Sequence, residues 1–515
     1  MRKILFGVLG CLVAVCAHAA QVANLDYVHK LIQQKWDISI PIKADNPMLA
    51  ANMKYLLTAV DVANEILNGE KTTDYGNGEF ATLHAADTVA TIQAVETLVK
   101  KDNTEKAFFM TVTPGCFDDF STIYSFDFSI GAAGEFIVDW GDGTVETITK
   151  PDTTYTYYNH DYATDGPYTI KLTGRATAYG TDSVFRVSYD SANLALQAID
   201  GTLGGIFPTL PDGSQPLFKN SFAGAYNITS IPSKLFTGIS GAPAGEMFRE
   251  TFSGCSDLTS IPSKLFAGIS GAPASYMFAN TFYGCSGLTS IPSDLFAGIS
   301  GAPASFMFAS TFSGCSGLTG SIPSDLFAGI SGAPADSMFG GTFQGCSGLT
   351  SIPDGLFAGI SGAPASAMFS GTFQGCSGLT SIPDGLFAGI SGAPAGWMFN
   401  STFYGCSGLT GAIPDGLFGN LTGAPAGSMF SGTFYGCSKL TSIPENLFGN
   451  ISGTAQTRMF HETFYNCTSL TGPSARINGQ YLYEIWPSAT SDQVGDMYYR
   501  ATQLSDYSSI PSTWK

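Results

Sequence analysis

Charge is what this chain has least of: 12% of its 515 residues are Asp, Glu, Lys or Arg, about half the share of an ordinary soluble domain. Set beside 44% hydrophobic residues, that scarcity excludes an intrinsically disordered chain, which shows the opposite balance. Basic residues are the scarcer sign, 23 against 41 acidic, and the net charge is −18. A surface of that sign repels phosphate, which argues against nucleic acid and anionic lipid as partners. Histidine is down to 5 residues, with no HExxH or nucleophile-elbow motif beside them. The chain therefore reads as a non-enzyme without a cofactor. The 11 cysteines contain no CxxC pair, so zinc-ribbon spacing is missing. Beyond the first 20 residues no run approaches the ~20 apolar residues of a membrane-spanning helix. Glycine is abundant, at 61 residues, but without the every-third-residue rhythm of collagen.

What is present begins with an export pattern. Arg2 and Lys3 precede the apolar run Ile4 to Val15, and Ala17-His18-Ala19 supplies the small residues of a cleavage site. Residues 1–20 are expected to be a signal peptide, and the mature protein to be secreted or on the cell surface. Cys11, after Val8-Leu9-Gly10, leaves lipidation as an alternative anchoring route. Residues 21–104 read as a helical domain. Asn46-Pro47 is a good helix start, and Met53, Leu56, Leu57, Val60, Ala63, Ile66 and Leu67 share one face. A second helix is expected from Asp87 to Lys101. Residues 105–200 alternate β-branched and aromatic residues, as at Phe136-Ile137-Val138 and Tyr168 to Leu172, which suggests a β-sandwich.

The main signal is a repeat. From Phe222 onward a block close to TFxGCSGLTSIPxxLFAGISGAPAxxMFxx recurs, its reference Phe at 222, 252, 282, 312, 343, 373, 403, 434 and 464. The spacing is 30 or 31, the longer steps carrying an extra residue near Gly320 and Gly411. A fixed apolar skeleton at such a period predicts a solenoid whose neighbouring units bury one another's faces. Within one unit the expectation is a helical turn around Met277 to Phe282, a strand at Leu288 to Ile291 ended by Pro292, and a loop through Gly298 to Pro303. Residues 201–221 read as a linker and N-terminal cap, 222–475 as the repeats, and 476–515 as a degenerate capping unit around MYYRATQLSDYSSIP.

The string MFxxTFxGCSGLTSIP is similar to the bacterial surface-antigen (BspA-like) leucine-rich repeats, in which an aromatic is followed by a Cys three residues later and then by Leu, Ile and Pro. The likeness spans about half the chain in nine in-phase copies, with a longer period than that family's usual unit. It implies a secreted or cell-surface protein of adhesion and recognition. DWGDG (Asp139 to Gly143) with HDYATDGPYTI (His160 to Ile170) resembles the polycystic-kidney-disease (PKD) type of immunoglobulin-like domain. That likeness implies an extracellular spacer or binding module. The expected fold class is thus multidomain: an N-terminal helical segment, an all-β PKD-like sandwich, and an α/β leucine-rich-repeat solenoid of 30-residue repeats.

Several residue sets invite chemistry. Asp139 and Asp142 could hold calcium, but that ion wants six to eight oxygens; a tight turn over Trp140 is the preferred reading. The repeat cysteines, Cys255 to Cys467, are single and 30 or 31 apart. Buried free thiols are preferred, with disulfides between neighbouring turns the alternative. Asn227, Asn400, Asn420, Asn450 and Asn466 open N-x-Ser/Thr sequons. The informative positions are those where repeats differ. The residue before the Met and the residue after the reference Phe vary freely, and stacking turns each into a column. The candidate binding stripe is Tyr276, Phe306 and Trp397 from the first column, with Tyr283, Tyr404, Tyr435 and Tyr465 from the second. The expected partner is a protein or glycan on a neighbouring surface; the alternative is a structural stalk, coat or matrix element without a specific ligand.

Overall fold

The computed structural model describes residues 106–114, 124–187 and 195–515. The expected signal peptide and helical segment lie outside these residues.

Eight strands come first: β1 (Phe108–Val112), β2 (Tyr124–Ile130), β3 (Ala132–Asp139), β4 (Val145–Lys150), β5 (Thr156–Tyr162), β6 (Tyr168–Tyr179), β7 (Phe185–Val187) and β8 (Leu196–Gly201). They form two antiparallel sheets, ordered β4-β3-β6-β1-β8 and β5-β2-β7. Alternation decides the faces. In β1, Phe108, Met110 and Val112 are buried while the residues between them are partly exposed. The inward faces meet through aromatics, with Phe108 edge-on to Phe185 at 5.5 Å and Phe128 5.5 Å from Trp140.

No break separates these sheets from the repeats. Leu203, Ile206, Phe207 and Phe218 are fully buried, the Ala176 N–H donates to the Ile206 carbonyl, and the Val187 N–H to that of Ser221. The Phe222 ring then packs on Phe108 at 5.9 Å and on Phe185 at 6.0 Å. One apolar core runs from Phe108 to Trp514.

Within a repeat, the segment from the Met to the Cys divides its amides between two jobs. The N–H groups of Ala279, Thr281, Tyr283 and Cys285 close turns onto carbonyls three residues back, at 3.1 to 3.2 Å. Those of Phe278, Asn280, Phe282 and Gly284 cross to Met307, Ala309, Thr311 and Ser313 of the next repeat, at 2.7 to 2.9 Å. This alternation requires a left-handed residue at every fourth position: Tyr276 at φ 57°, Asn280 at 54° and Gly284 at 69°. A non-glycine residue in that conformation costs about 1–2 kcal/mol. The stack outweighs that cost, because each repeat buries a Met, three Phe, Leu and Ile residues, at about 1.5–3 kcal/mol per large side chain. Homologous rings face one another along the stack, Phe282 on Phe312 at 5.7 Å and Phe278 on Phe308 at 5.6 Å, with Phe296 tilted against Phe278 at 4.6 Å. Phe343 and Phe373 are fully buried and lie 5.8 Å apart.

These observations correct the expected fold class. The described residues are strands, turns and loops, and their only α-helices are α1 (Leu482–Ile485) and α2 (Ser491–Val494), both after the last repeat. The helical turn expected at Met277 to Phe282 is not formed, because a left-handed residue every fourth position interrupts the continuous right-handed path a helix needs. Extended pairing between repeats amounts to short strands, such as Gly320–Ser321 with Leu349–Ser351, and single bridges, such as Gly271 with Ile299. Neither a closed sheet nor an α/β leucine-rich-repeat solenoid is present among the described residues. The inserted Gly320 and Gly411, at φ 77° and 79°, are exposed while Leu318, Ile322, Leu409 and Ile413 around them stay buried, so the 31-residue steps leave the core in register.

Beyond the last repeat, Trp486 packs on Phe460 and Tyr498 on Phe464, each at 5.8 Å. The Phe464 and Asn466 amides donate to the Met497 and Tyr499 carbonyls.

Candidate functional site

The variable column before the Met is the first left-handed position of each repeat. Glu246, Tyr276, Phe306, Ser337, Ala367, Trp397, Ser428 and Arg458 all have φ between 50° and 59°. The adjacent Met is buried in each repeat, so the backbone there is set from within while the variable side chain is left outside the core ladders.

The seven stripe residues fall into separate groups. Tyr276 and Phe306 stack at 4.6 Å, nearly coplanar at 4°. The Arg249 guanidinium lies 5.7 Å from the Tyr276 ring centre and pairs with Glu246 and Glu250 at 2.9 and 3.2 Å. Trp397 occupies the same column three repeats beyond Phe306 and is 55% exposed. Tyr283, in the second column, is 48% exposed and has Ser253 and Ser313 as column neighbours. Tyr404, Tyr435 and Tyr465 form a ladder at 4.3 and 4.5 Å.

Sequence reasoning missed two parts of this surface. Tyr499 extends the ladder from Tyr465 at 4.6 Å, with Arg500 over it. Met497 bonds as the repeats' Thr does, since its carbonyl accepts from Phe464; matching the tail by its Met therefore hides the tyrosine. The signal that could have found it is the run Tyr498-Tyr499 read against Phe464-Tyr465. The other miss is an amide pair: Gln344 Nε2 donates to Gln374 Oε1 at 3.2 Å in the second column. Between the columns, from Arg249 to Gln374, lies a groove of about 420 Å³. Tyr276, Phe306, Ser337 and Ala367 line it, with Gln344 and Gln374 and small residues including Gly340 and Gly371.

The other chemical candidates are tied into structure. Asp139 accepts the Gly141 N–H at 3.0 Å, and Asp142 accepts the Thr144 N–H at 2.9 Å and His160 Nε2 at 2.8 Å. The hydrogen bond from His160, with help from Thr144, holds the Asp142 carboxyl down at about 2. His160 stacks on Trp140 at 4.9 Å, whose carbonyl accepts the Tyr162 hydroxyl at 3.0 Å. Gly141, at φ 84°, has no room for a Cβ, which would sit 2.6 Å from the Thr169 carbonyl oxygen. Among the described residues no three His, Cys, Asp or Glu side chains gather as a metal site.

The eight repeat cysteines are free and buried. Each thiol donates to the carbonyl of the preceding repeat's reference Phe, as Cys285 does to Phe252 at 3.1 Å and Cys376 to Phe343 at 3.0 Å. Two sequon amides serve the stack, Asn400 donating to Ser431 and Asn420 to Ala388. No helix among the described residues is long and apolar enough to cross a membrane. Comparison with protein-family models, with curated proteins and with solved structures finds no match for this chain.

Proposed function

We propose that the protein is a non-enzymatic recognition protein, secreted or held at the cell surface, that binds a protein or glycan through the variable columns of its repeats. The observation that carries this reading is the separation of roles within each repeat. Phe, Met, Cys and Thr build the interior, whereas Tyr276, Phe306 and Trp397 stand outside it on a backbone that would favour glycine. Aromatic anchors on a rigid frame lose little side-chain freedom on binding, which is why they dominate contact energies. The export pattern and the surface-antigen resemblance agree with such a role.

The full chain and its triple variant Tyr276→Ser, Phe306→Ser and Trp397→Ser should both be probed on protein and glycan arrays. The expected outcome is a partner bound by the native chain and weakened about tenfold or more in the variant, with its thermal transition retained. Equal binding by both would remove these residues as the site. Near-identity of the central repeats favours a structural stalk as the second reading, in which neither array gives a partner.

A further inference from the structure

Oxidisable side chains are sorted by depth in this molecule. Every cysteine and every methionine among the described residues is fully buried, the methionines running from Met110 to Met497. Exposed sulfur groups are what peroxide and related oxidants consume first in a protein. What remains at the surface for a one-electron oxidant is aromatic: Tyr157, Trp397, Tyr283 and Tyr226 at 63, 55, 48 and 45% exposure, and Tyr499 at 36%. Tyr157 meets Tyr155 only edge-on, and Tyr226, Tyr283 and Trp397 stand without a stacked ring.

Tyr499 differs from these because it ends a ladder. Tyr404, Tyr435, Tyr465 and Tyr499 follow one another at 4.3, 4.5 and 4.6 Å, with planes 8°, 3° and 21° apart, and the three inner rings are partly exposed. Rings in van der Waals contact exchange an electron readily, so a radical made on any rung can reach the others. Four rings then collect oxidation events that an isolated ring must receive itself. The same geometry disfavours bonding within the ladder. Tyrosyl radicals couple through the carbons ortho to the hydroxyl, which lie on the ring edges, and rings held face to face carry those edges side by side. A bond between neighbours would require one ring to turn out of the stack, whereas a second ladder approaching from solvent can meet the edges directly. A partner for this bond must carry a phenol, and a second copy of the chain carries the same four. The net charge of −18 sets copies against one another; Arg500, over the Tyr499 ring at 5.5 Å, lessens that repulsion at this end of the column.

We propose that the tyrosine ladder is a site of oxidative cross-linking between two copies of the chain, the oxidant being hydrogen peroxide acting through a haem peroxidase. One tyrosine of each copy gives up its hydroxyl hydrogen as a proton and an electron. The two phenoxyl radicals join ortho carbon to ortho carbon, and the hydrogen on each of those carbons moves to the ring oxygen, which restores both phenols. The peroxide takes up the two electrons and two protons and becomes two waters. A second bond between the same two copies is then intramolecular, which the remaining rungs favour. This role goes beyond the recognition reading and does not use Tyr276, Phe306 or Trp397.

The test mixes unlabelled and isotope-labelled full chain in physiological salt, treats the mixture with a haem peroxidase and hydrogen peroxide, and follows it by denaturing gel and peptide mass spectrometry. Covalent dimers and larger species should form, with dityrosine peptides that pair a labelled with an unlabelled copy through Tyr404, Tyr435, Tyr465 or Tyr499. The variant Tyr404→Phe, Tyr435→Phe, Tyr465→Phe and Tyr499→Phe keeps the stacked rings but not the phenols, and should lose the cross-linked species while retaining its thermal transition. Tyr157→Phe with Tyr226→Phe and Tyr283→Phe should cross-link as the native chain does, although those rings are more exposed than Tyr499. Undiminished cross-linking in the fourfold variant, bonds that map to Tyr157, Tyr226 or Tyr283 instead, bonds confined within one copy, or no cross-linking at all would each overturn the site. None of these outcomes bears on the array experiment above, so the two readings stand or fall separately.

Discussion

At the scale of single residues, the repeat positions divide by what their atoms do for the neighbouring repeat. The column of thiols shows this best. Burial pushes each of them up, Cys376 to about 12, because a thiolate would lose its hydration with no cation near it. Each thiol also satisfies a carbonyl of the preceding repeat. In the native protein at about pH 8, the eight repeat cysteines are therefore expected to resist a thiol-specific alkylating reagent, and to react together once the chain is unfolded in guanidinium. Mass spectrometry before and after denaturation checks this; a native label on Cys376 would contradict it. The burial of Phe282, Cys285 and Leu288 was legible in their recurrence, broken only by the apolar Ala225 and Ile228 of the first repeat, since a position that stays apolar among repeats on a shared skeleton is being packed from both sides. The left-handed conformation of Tyr276, Phe306 and Trp397 was not legible, because bulky residues are poor candidates for it and only inter-repeat bonding enforces it.

At the scale of elements, the turn between β3 and β4 is held by two aspartates acting as caps and by the His160 ring. Asp142 has its folded value near 2, below the 3.8 of a free side chain, so its contribution is complete above about pH 5 and is lost as the pH falls through the range between those values. Carboxyl-carbon NMR should place its midpoint near 2, and Asp142→Asn should abolish the part of the acid-induced fall in Tm that it causes. A midpoint at or above the ordinary aspartate value would show that the clamp does not form. The motif DWGDG already pointed to a tight turn, and Gly141 at φ 84° explains its glycine. The local pattern of the repeat, by contrast, suggested a helical turn where the structure has successive turns, and a strand that forms only as pairs of two or three residues in some repeats, as at Leu349–Ser351 and Leu440–Ser442. Three-residue spacing of apolar positions is shared by a helix and by a chain of turns, and only the destination of the amides tells them apart.

At the scale of the whole described unit, the stack ends where ring partners and hydrogen-bond acceptors run out, and residues 476–515 supply both. Trp486 and Tyr498 cover Phe460 and Phe464, and the Arg458, Glu462, Phe464 and Asn466 amides find carbonyls in the tail. Ending the chain at Ala475 should uncover the outer faces of two buried rings, at a cost below the about 1.5–3 kcal/mol that full burial of each is worth, lower the Tm and produce binding of a hydrophobic dye. A truncated chain with unchanged Tm and no dye binding would show that the last repeat closes itself.

What the sequence by itself determined is the period, the identity of the core residues and the two columns free to vary, because those depend on which side chains recur and recurrence is visible in a string. What only the tertiary structure decided is the path of the backbone within each unit, the fusion of the sheets to the repeats through Phe108, Phe185 and Phe222, and the extension of the tyrosine ladder to Tyr499. Each of these depends on which amide meets which carbonyl and which ring meets which ring across thirty residues or more, and such pairings arise only when the chain is brought back onto itself.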